Sequence, residues 1–298
     1  VSPSERYLRL TALGQRAFAG GRPERALRLF TAAEEEARRL GDRELQDRAF
    51  CNRCVVLVEL DRLDGAVGEL KHVLMRSRDP FTAWMAAYYT AQVYEFEENI
   101  PRALAYARRA AELAEACGER RARKGSANQL GVLALRDSRF AEAAGCFRTA
   151  LALAAEDGDD PMNLAVARDN LGYCLMCMGE VEEGIALCQD AAATLEKLGC
   201  SQLLAEVYQD LCYGALQQGD FQLARQHGER ALQLARRWRN DSVERNTLML
   251  LADAAMDEGD ETVANEYLER LAAHYPDFAG MKAFMQAFNV REVINLKA

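Results

Sequence analysis

The sequence predicts an all-α fold, an α-solenoid of seven helix-turn-helix repeats followed by a C-terminal capping helix. Three aligned columns of small residues carry that reading. The first holds Gly14, Cys54, Ala91, Gly131, Gly172, Cys212 and Ala252, at steps of 40, 37, 40, 41, 40 and 40 residues. The second lies twelve residues further on and holds Ala26, Ala66, Ala103, Ala143, Gly184, Ala224 and Ala264. The third, seven beyond that, holds Ala33, Val73, Ala110, Ala150, Ala191, Ala231 and Leu271. A period near 40 sustained over the chain marks stacked helix pairs, each unable to bury its apolar face alone. Continuous periodicity argues for one elongated unit of binding type rather than for a catalytic domain.

The repeats are expected at 5–41, 42–78, 79–118, 119–159, 160–199, 200–240 and 241–276, with a cap and tail at 277–298. Each reads as two helices, A and B, around a short break. In the fifth, Asp160 caps helix A and Pro161 fits its first turn. Leu164, Ala167, Leu171 and Leu175 then recur at helical spacing, as one face of a helix requires. Gly179 ends that helix, Val181–Leu198 forms helix B, and Gly199 closes it in the left-handed conformation. The punctuation recurs at Gly21, Gly219 and Gly259 between helices and at Gly41, Gly118 and Gly158 between repeats. Asp79 with Pro80 repeats the Asp-Pro opening, and this early start accounts for the 37-residue step. The small columns let helices A and B approach closely, whereas a larger residue would overpack the crossing. Phe30, Leu70, Phe147 and Leu268, one turn past the second column, are expected to fill the space between pairs.

Phe278 to Phe288 makes one more helix, with Phe278, Met281, Phe284, Met285 and Phe288 on one side. A solenoid needs its last repeat covered, so this helix is expected to be a cap; an interaction helix is the alternative. The tail 289–298 still contains Val290, Val293, Ile294 and Leu296. It is too apolar for a plain disordered tail and is expected to fold back or to dock on a partner.

The 298 residues are half apolar, and the net charge is −9 with pI near 5.1. That balance weighs against non-specific contact with nucleic acid or anionic membrane. No stretch approaches the roughly 18 uninterrupted apolar residues of a membrane span. Charges run through the first twenty residues, so no secretory leader is read there. Nine cysteines scattered among helices suit a reducing compartment, and a cytoplasmic location is expected. Ala- and Arg-rich composition hints at a bacterial genome.

The Leu-Gly pairs Leu13–Gly14, Leu130–Gly131 and Leu171–Gly172, followed by the alanine columns, resemble tetratricopeptide repeats over residues 5–276. The repeat here is longer than the standard unit of about 34 residues. It is similar to the long-helix variety of kinesin light chains, LGN-type adaptors and bacterial peptide receptors, and Ala167–Gly172 is especially so. The resemblance implies a right-handed superhelical solenoid whose A helices line a concave, peptide-binding face. One family mode is not expected: the carboxylate clamp for chaperone tails needs Lys on early A helices, where Thr11, Cys51 and Tyr88 stand.

Residues three before and one after each first-column position share a helix face. One set runs Thr11, Cys51, Tyr88, Asn128, Asp169, Gln209 and Met249; the other runs Gln15, Val55, Gln92, Val132, Tyr173, Tyr213 and Asp253. Asn52, Tyr89, Glu95, Asn170 and Asp210 adjoin them. The candidate ligand-binding residues are Tyr88, Gln92, Asn128, Asp169, Asn170, Tyr173, Gln209, Tyr213 and Asp253. The amides and acids would hydrogen-bond a peptide backbone and the tyrosines would stack, at little entropic cost. Tyr88 and Tyr89 are adjacent and cannot both face the groove, so one is expected to pack. Asp169, Glu206, Asp210, Asp253 and Asp257 make the C-terminal half acidic, which favours a basic or neutral ligand there. Tyr173→Ala with Tyr213→Ala is expected to weaken capture with little loss of stability. A solvated inner surface is the alternative.

Cys51/Cys54 and Cys174/Cys177 have Cys-x-x-Cys spacing, but they fall inside helices without a nearby His, where a structural zinc site wants converging turns. His72, His227 and His274 lie on B helices of different repeats, and His227 shares a mostly apolar column. The basic runs Arg120, Arg121, Arg123 and Lys124, and Arg236, Arg237 and Arg239, sit near helix ends as solvated faces. No phosphate loop, nucleophile elbow or paired-His motif is present. No catalytic role, metal or cofactor is expected. The expected partner is a protein or peptide, with no nucleic acid and no membrane. The reading is a scaffold or adaptor. Its alternatives are the peptide-sensing module of a larger signalling protein and an oligomer joined through the terminal helix.

Overall fold

Capping residues and glycines cut the chain into a succession of helices, most of them 16 to 18 residues long. The computed structural model describes residues 3–60, 62, 65–155, 160–275, 277–287 and 290–297; Gly158 and Phe288 lie outside them. The described residues form sixteen helical segments and no strand. These are α1 (Pro3–Ala19), α2 (Pro23–Leu40), α3 (Arg43–Glu59), α4 (Ala66–Arg76), α5 (Pro80–Phe96), α6 (Ile100–Cys117), α7 (Arg120–Arg136) and α8 (Phe140–Ala155). There follow α9 (Pro161–Cys177), α10 (Val181–Leu198), α11 (Leu204–Gln217), α12 (Phe221–Trp238), α13 (Asp241–Asp257), α14 (Glu261–Ala272), α15 (Phe278–Ala287) and α16 (Val290–Val293). The chain is an all-α repeat solenoid.

Local chemistry fixes the helix ends. Asp79 accepts from the amides of Phe81 and Thr82 with Pro80 in the first turn, and Asp160 accepts from Met162 before Pro161. Asp42, Asn99, Asp220, Asn240 and Asp260 cap α3, α6, α12, α13 and α14 in the same way. Each satisfies an amide left over in a helix's first turn. Gly199, at φ +70°, terminates α10 in the left-handed region, where a side chain would be strained. The 37-residue step reflects α4, which has 11 residues where α2 and α6 have 18.

The helices gather into two compact units, residues 1–133 and 134–298. The periodicity does not mark this division, because each repeat touches only its neighbours and the columns run on through it. In the first unit α1 packs on α2, α2 on α3, α4 on α5 and α5 on α6, and the A helices α3 and α5 lie side by side. Gly14 shows what the small column does: a Cβ there would stand 2.7 Å from Cε1 of Phe30. Phe30 and Leu70 are buried as expected.

In the second unit α8 to α14 pack in succession, and the A helices α9, α11 and α13 form a second layer. At the crossing of α9 and α10 backbone meets backbone. A Cβ on Gly172 would meet the carbonyl oxygen of Gly184 at 2.6 Å, and one on Gly184 would meet that of Gly172 at 2.5 Å. Phe147 and Leu268 are buried, with Leu175, Met176, Leu195, Leu216, Leu232, Leu248 and Leu250. Met285 of α15 is buried, and Phe278 and Met281 are half-buried. The short α16 lies against α13.

Candidate functional site

Helices α9, α11 and α13 pack against B helices and against each other, so most of their residues are buried. The remaining side of this A layer is polar. It presents Asp169 and Tyr173 from α9, Glu206, Asp210 and Tyr213 from α11, and Asn246, Asp253 and Asp257 from α13. Residues 290–297 lie against it.

Both the backbone and the side chains of this segment are held. The amide of Leu296 donates to the phenol oxygen of Tyr173 at 2.9 Å, and its carbonyl accepts from Asn246 Nδ2 at 3.3 Å. The hydroxyl of Tyr213 donates to the carbonyl of Arg291 at 3.3 Å. Asn295 Nδ2 reaches the carbonyl of Leu135 at 2.8 Å and Ser138 Oγ at 3.0 Å, satisfying the end of α7. Val290 and Leu296 are buried as the apolar anchors.

Two cations enter the acidic surface. Lys297 Nζ stands 2.7 Å from Asp210 Oδ2, 3.2 Å from Asp169 Oδ2 and 3.9 Å from Glu206 Oε2. Arg291 Nε stands 2.9 Å from Asp253 Oδ2, and its Nη2 pairs with Asp257. Asp210 is fully buried and Asp169 is 4 % exposed. Burial pushes the Asp210 carboxyl up, while Lys297 pulls it back. Burial works to lower Lys297, but Asp169, Asp210 and Glu206 together raise it well above the usual ammonium range. Lys297 is thus held as a cation. Burial likewise raises Asp253 against the pull of Arg291. Oδ1 of Asp169 and Oδ1 of Asp210 are buried and accept no hydrogen bond from the described residues. Sγ of Cys188 and the two carboxylates lie within 4.8 Å of one another, a donor set that could hold a cation. The ammonium of Lys297 stands on that cluster.

The expected site residues divide between the units. In the second, Asp169, Tyr173, Tyr213 and Asp253 all touch residues 290–297. The tyrosines act through their hydroxyls rather than by stacking on a ligand; their rings pack on each other at 5.6 Å. Tyr173 is 0 % exposed, so its removal would empty a core position, and the expected small loss of stability does not hold. Gln209 is buried and accepts from Thr247 at 3.5 Å, while Asn170 is half-buried.

In the first unit Tyr88 is half-buried between Trp84 and Tyr89, at ring distances of 5.4 and 5.3 Å. Its carbonyl accepts from Gln129. Gln92 is half-buried, with Oε1 accepting nothing among the described residues, and Asn128 is exposed. Tyr89, with Gln15, Asn52, Phe81, Trp84 and Arg121, lines a cavity of about 320 Å³.

Asn246, Arg291 and Lys297 escaped the sequence reading as site residues. Arg291 and Lys297 flank the apolar positions of the tail, and their charges complement the five acids, which is the signal that could have found them. Asn246 lies outside the chosen columns. The remaining candidates read as packing. Burial raises Cys54 and Cys174 to about 12 and Cys177 to about 11, which keeps those thiols protonated. His227 is half-buried, stacks on Tyr208 and is lowered by burial. Arg123 and Arg236 of the basic runs pair with Glu115 and Glu244. No helix among the described residues is long and apolar enough to cross a membrane.

Comparison with known proteins agrees with this architecture. Residues 163–237 match the tetratricopeptide repeat family model. No curated protein sequence matches the chain. Among solved structures, a Rap protein complexed with Competence and Sporulation Factor is 13 % identical with TM-score 0.69, covering 94 % of this chain and 80 % of its own. The apo quorum sensor NprR from B. thuringiensis is 13 % identical with TM-score 0.70, covering 95 % and 81 %. A signal transduction ATPase with a tetratricopeptide repeat sensor, from Pyrococcus horikoshii, is 20 % identical with TM-score 0.64; the match covers 97 % of this chain and 45 % of that one. These likenesses establish the fold.

Proposed function

We propose that this tetratricopeptide-type chain is a protein-interaction scaffold that holds a polypeptide segment along the first helices of its repeats. The observation that carries the reading is the manner in which α9, α11 and α13 hold residues 290–297. Tyr173, Tyr213 and Asn246 bind backbone groups, contacts that do not depend on the segment's side chains. Asp169, Asp210 and Asp253 choose its charge. Asn170 and Gln209 complete this surface in the proposal, and Tyr88, Gln92 and Asn128 form a second patch in the first unit. The role is non-catalytic, and the reading includes a bacterial, cytoplasmic setting and a protein or peptide partner, with neither nucleic acid nor membrane.

A second reading is a sensing module of a larger signalling protein. Its support is the likeness to the quorum sensor NprR, to the Rap complex and to a sensor that is one part of a longer ATPase.

A peptide array probed with the intact chain and with its Tyr213→Phe/Asn246→Ala variant tests the scaffold reading. Peptides retained by wild type and lost by a folded variant would support it. Equal retention by both proteins would move the binding surface away from these helices.

A further inference from the structure

The surface of the second unit is specific in what it accepts. It holds one lysine in an enclosed cage and one arginine between the buried Asp253 and the exposed Asp257, six residues apart in the segment. The cage is formed by Asp169 and Asp210, both buried, with Glu206 half-open at its rim. Carboxylates so placed cannot stay charged without a cation, because burial penalises them and each repels the other. An apolar or acidic segment leaves them unpaired. Among the described residues, five carboxylates, Asp169, Glu206, Asp210, Asp253 and Asp257, face the two cations Arg291 and Lys297. The surface therefore carries more carboxyl groups than the segment carries cations, and a more basic occupant would pair more of them.

Residues 290–297 have the character of an occupant rather than of a core element. Four of them form the short α16, and among the described side chains Val290 and Leu296 are buried. The described polar hold consists of two backbone groups on tyrosines, the Leu296 carbonyl on Asn246, the Asn295 amide on the end of α7, and the ion pairs of Arg291 and Lys297. Those are contacts a separate segment of the same chemistry can make in the same places.

We propose that the α9–α11–α13 surface is a lysine-reading peptide site, that residues 290–297 are its resident occupant, and that its external ligand is a basic segment with Arg and Lys about six residues apart. This rests on the scaffold reading above and names the ligand class and the competitor for that site. Tethering gives the resident segment an effective concentration in the millimolar range. An external ligand must outbid that, which a third or fourth positive charge allows. Lysine in the cage fixes the register, because Asp210 lies at its closed end.

Fluorescence anisotropy with a labelled Val-Arg-Glu-Val-Ile-Asn-Leu-Lys peptide tests this. The proteins are the full chain, its Arg291→Ala/Lys297→Ala variant, and Lys297→Gln as a milder variant that keeps a side chain of similar reach. Each is first checked for helicity by circular dichroism. Loosening the resident segment is expected to tighten peptide binding by about tenfold or more. Replacing the peptide's Lys by Ala, or adding Asp210→Asn to the protein, is expected to abolish the gain. If the loosened chains bind the Lys-less peptide as tightly, the lysine-reading claim is overturned while the scaffold reading stands. If they bind neither peptide, nor any peptide of the array, both fall. If wild type binds as tightly as the variants, residues 290–297 do not compete for the site.

Discussion

The amide of Leu296 donates to the phenol oxygen of Tyr173 at 2.9 Å, joining residues 123 apart in sequence. Tyr173 is fully buried and packs on Phe140 and Tyr213. Two losses can therefore be separated. Tyr173→Phe keeps the ring and leaves one buried amide unpaired, with an expected loss of about 1–3 kcal/mol. Tyr173→Ala opens a cavity and is expected to lose about 3–5 kcal/mol. Thermal denaturation of both variants checks this. An alanine variant as stable as wild type would mean that Tyr173 is not a core residue.

Glycines on the repeat's columns should respond in opposite ways to their exposed counterparts. Gly172→Ala puts a Cβ 2.6 Å from the Gly184 carbonyl, and a loss of about 1–3 kcal/mol is expected from overpacking. Gly145 in α8 has nothing within 4 Å of a Cβ, and Gly145→Ala is expected to gain about 0.5–1 kcal/mol from helix propensity. The two midpoints should move apart on either side of wild type. Equal shifts would show that the column glycines are not contact points.

That pair shows why so much of the fold was legible. A close helix crossing needs a small residue at a fixed place in every repeat, so spacing alone reveals Gly172 and Gly184, and the caps at Asp79 and Asp160 declare helix starts. The surface of the second unit was half legible. Asp169, Tyr173, Tyr213 and Asp253 follow from helical periodicity, which says which side of a helix a residue occupies. Periodicity cannot say what covers that side. Lys297 and Arg291 come from outside the repeats, and their pairing with Asp210 and Asp253 depends on how the chain returns. The division at 133/134 was not legible, since the columns continue across it.

Arg76 carries a buried partner in the first unit. Its Nε and Nη2 stand 3.0 and 2.6 Å from the two oxygens of Asp47, which is 2 % exposed. Removing Arg76 leaves that buried carboxylate the more distant Arg43, 3.6 Å from its Oδ1, and Arg76→Ala is expected to lose up to about 3–5 kcal/mol. Arg76→Ala/Asp47→Ala, which removes both charges, should recover part of the loss. A double variant less stable than the single one would contradict this account.

Acid should weaken the same network. The hydrogen bond from Arg76 holds the Glu69 carboxyl below the usual range. A carboxyl lowered in the folded state contributes stability above its unfolded pKa, and that contribution fades as pH falls through the folded value. Glu69→Gln should therefore be less stable than wild type at neutral pH and equal to it in strong acid. A difference that persists undiminished at low pH would assign the effect to packing instead.

The central claim is that α9, α11 and α13 hold residues 290–297 as they would hold a ligand. Amide hydrogen exchange of the intact chain, with and without an excess of a basic Arg- and Lys-bearing peptide, tests it most directly. The Leu296 amide is expected to be protected in the free chain and to lose that protection as the peptide binds. A peptide that binds while Leu296 stays protected, or a Leu296 amide exposed from the start, would contradict it.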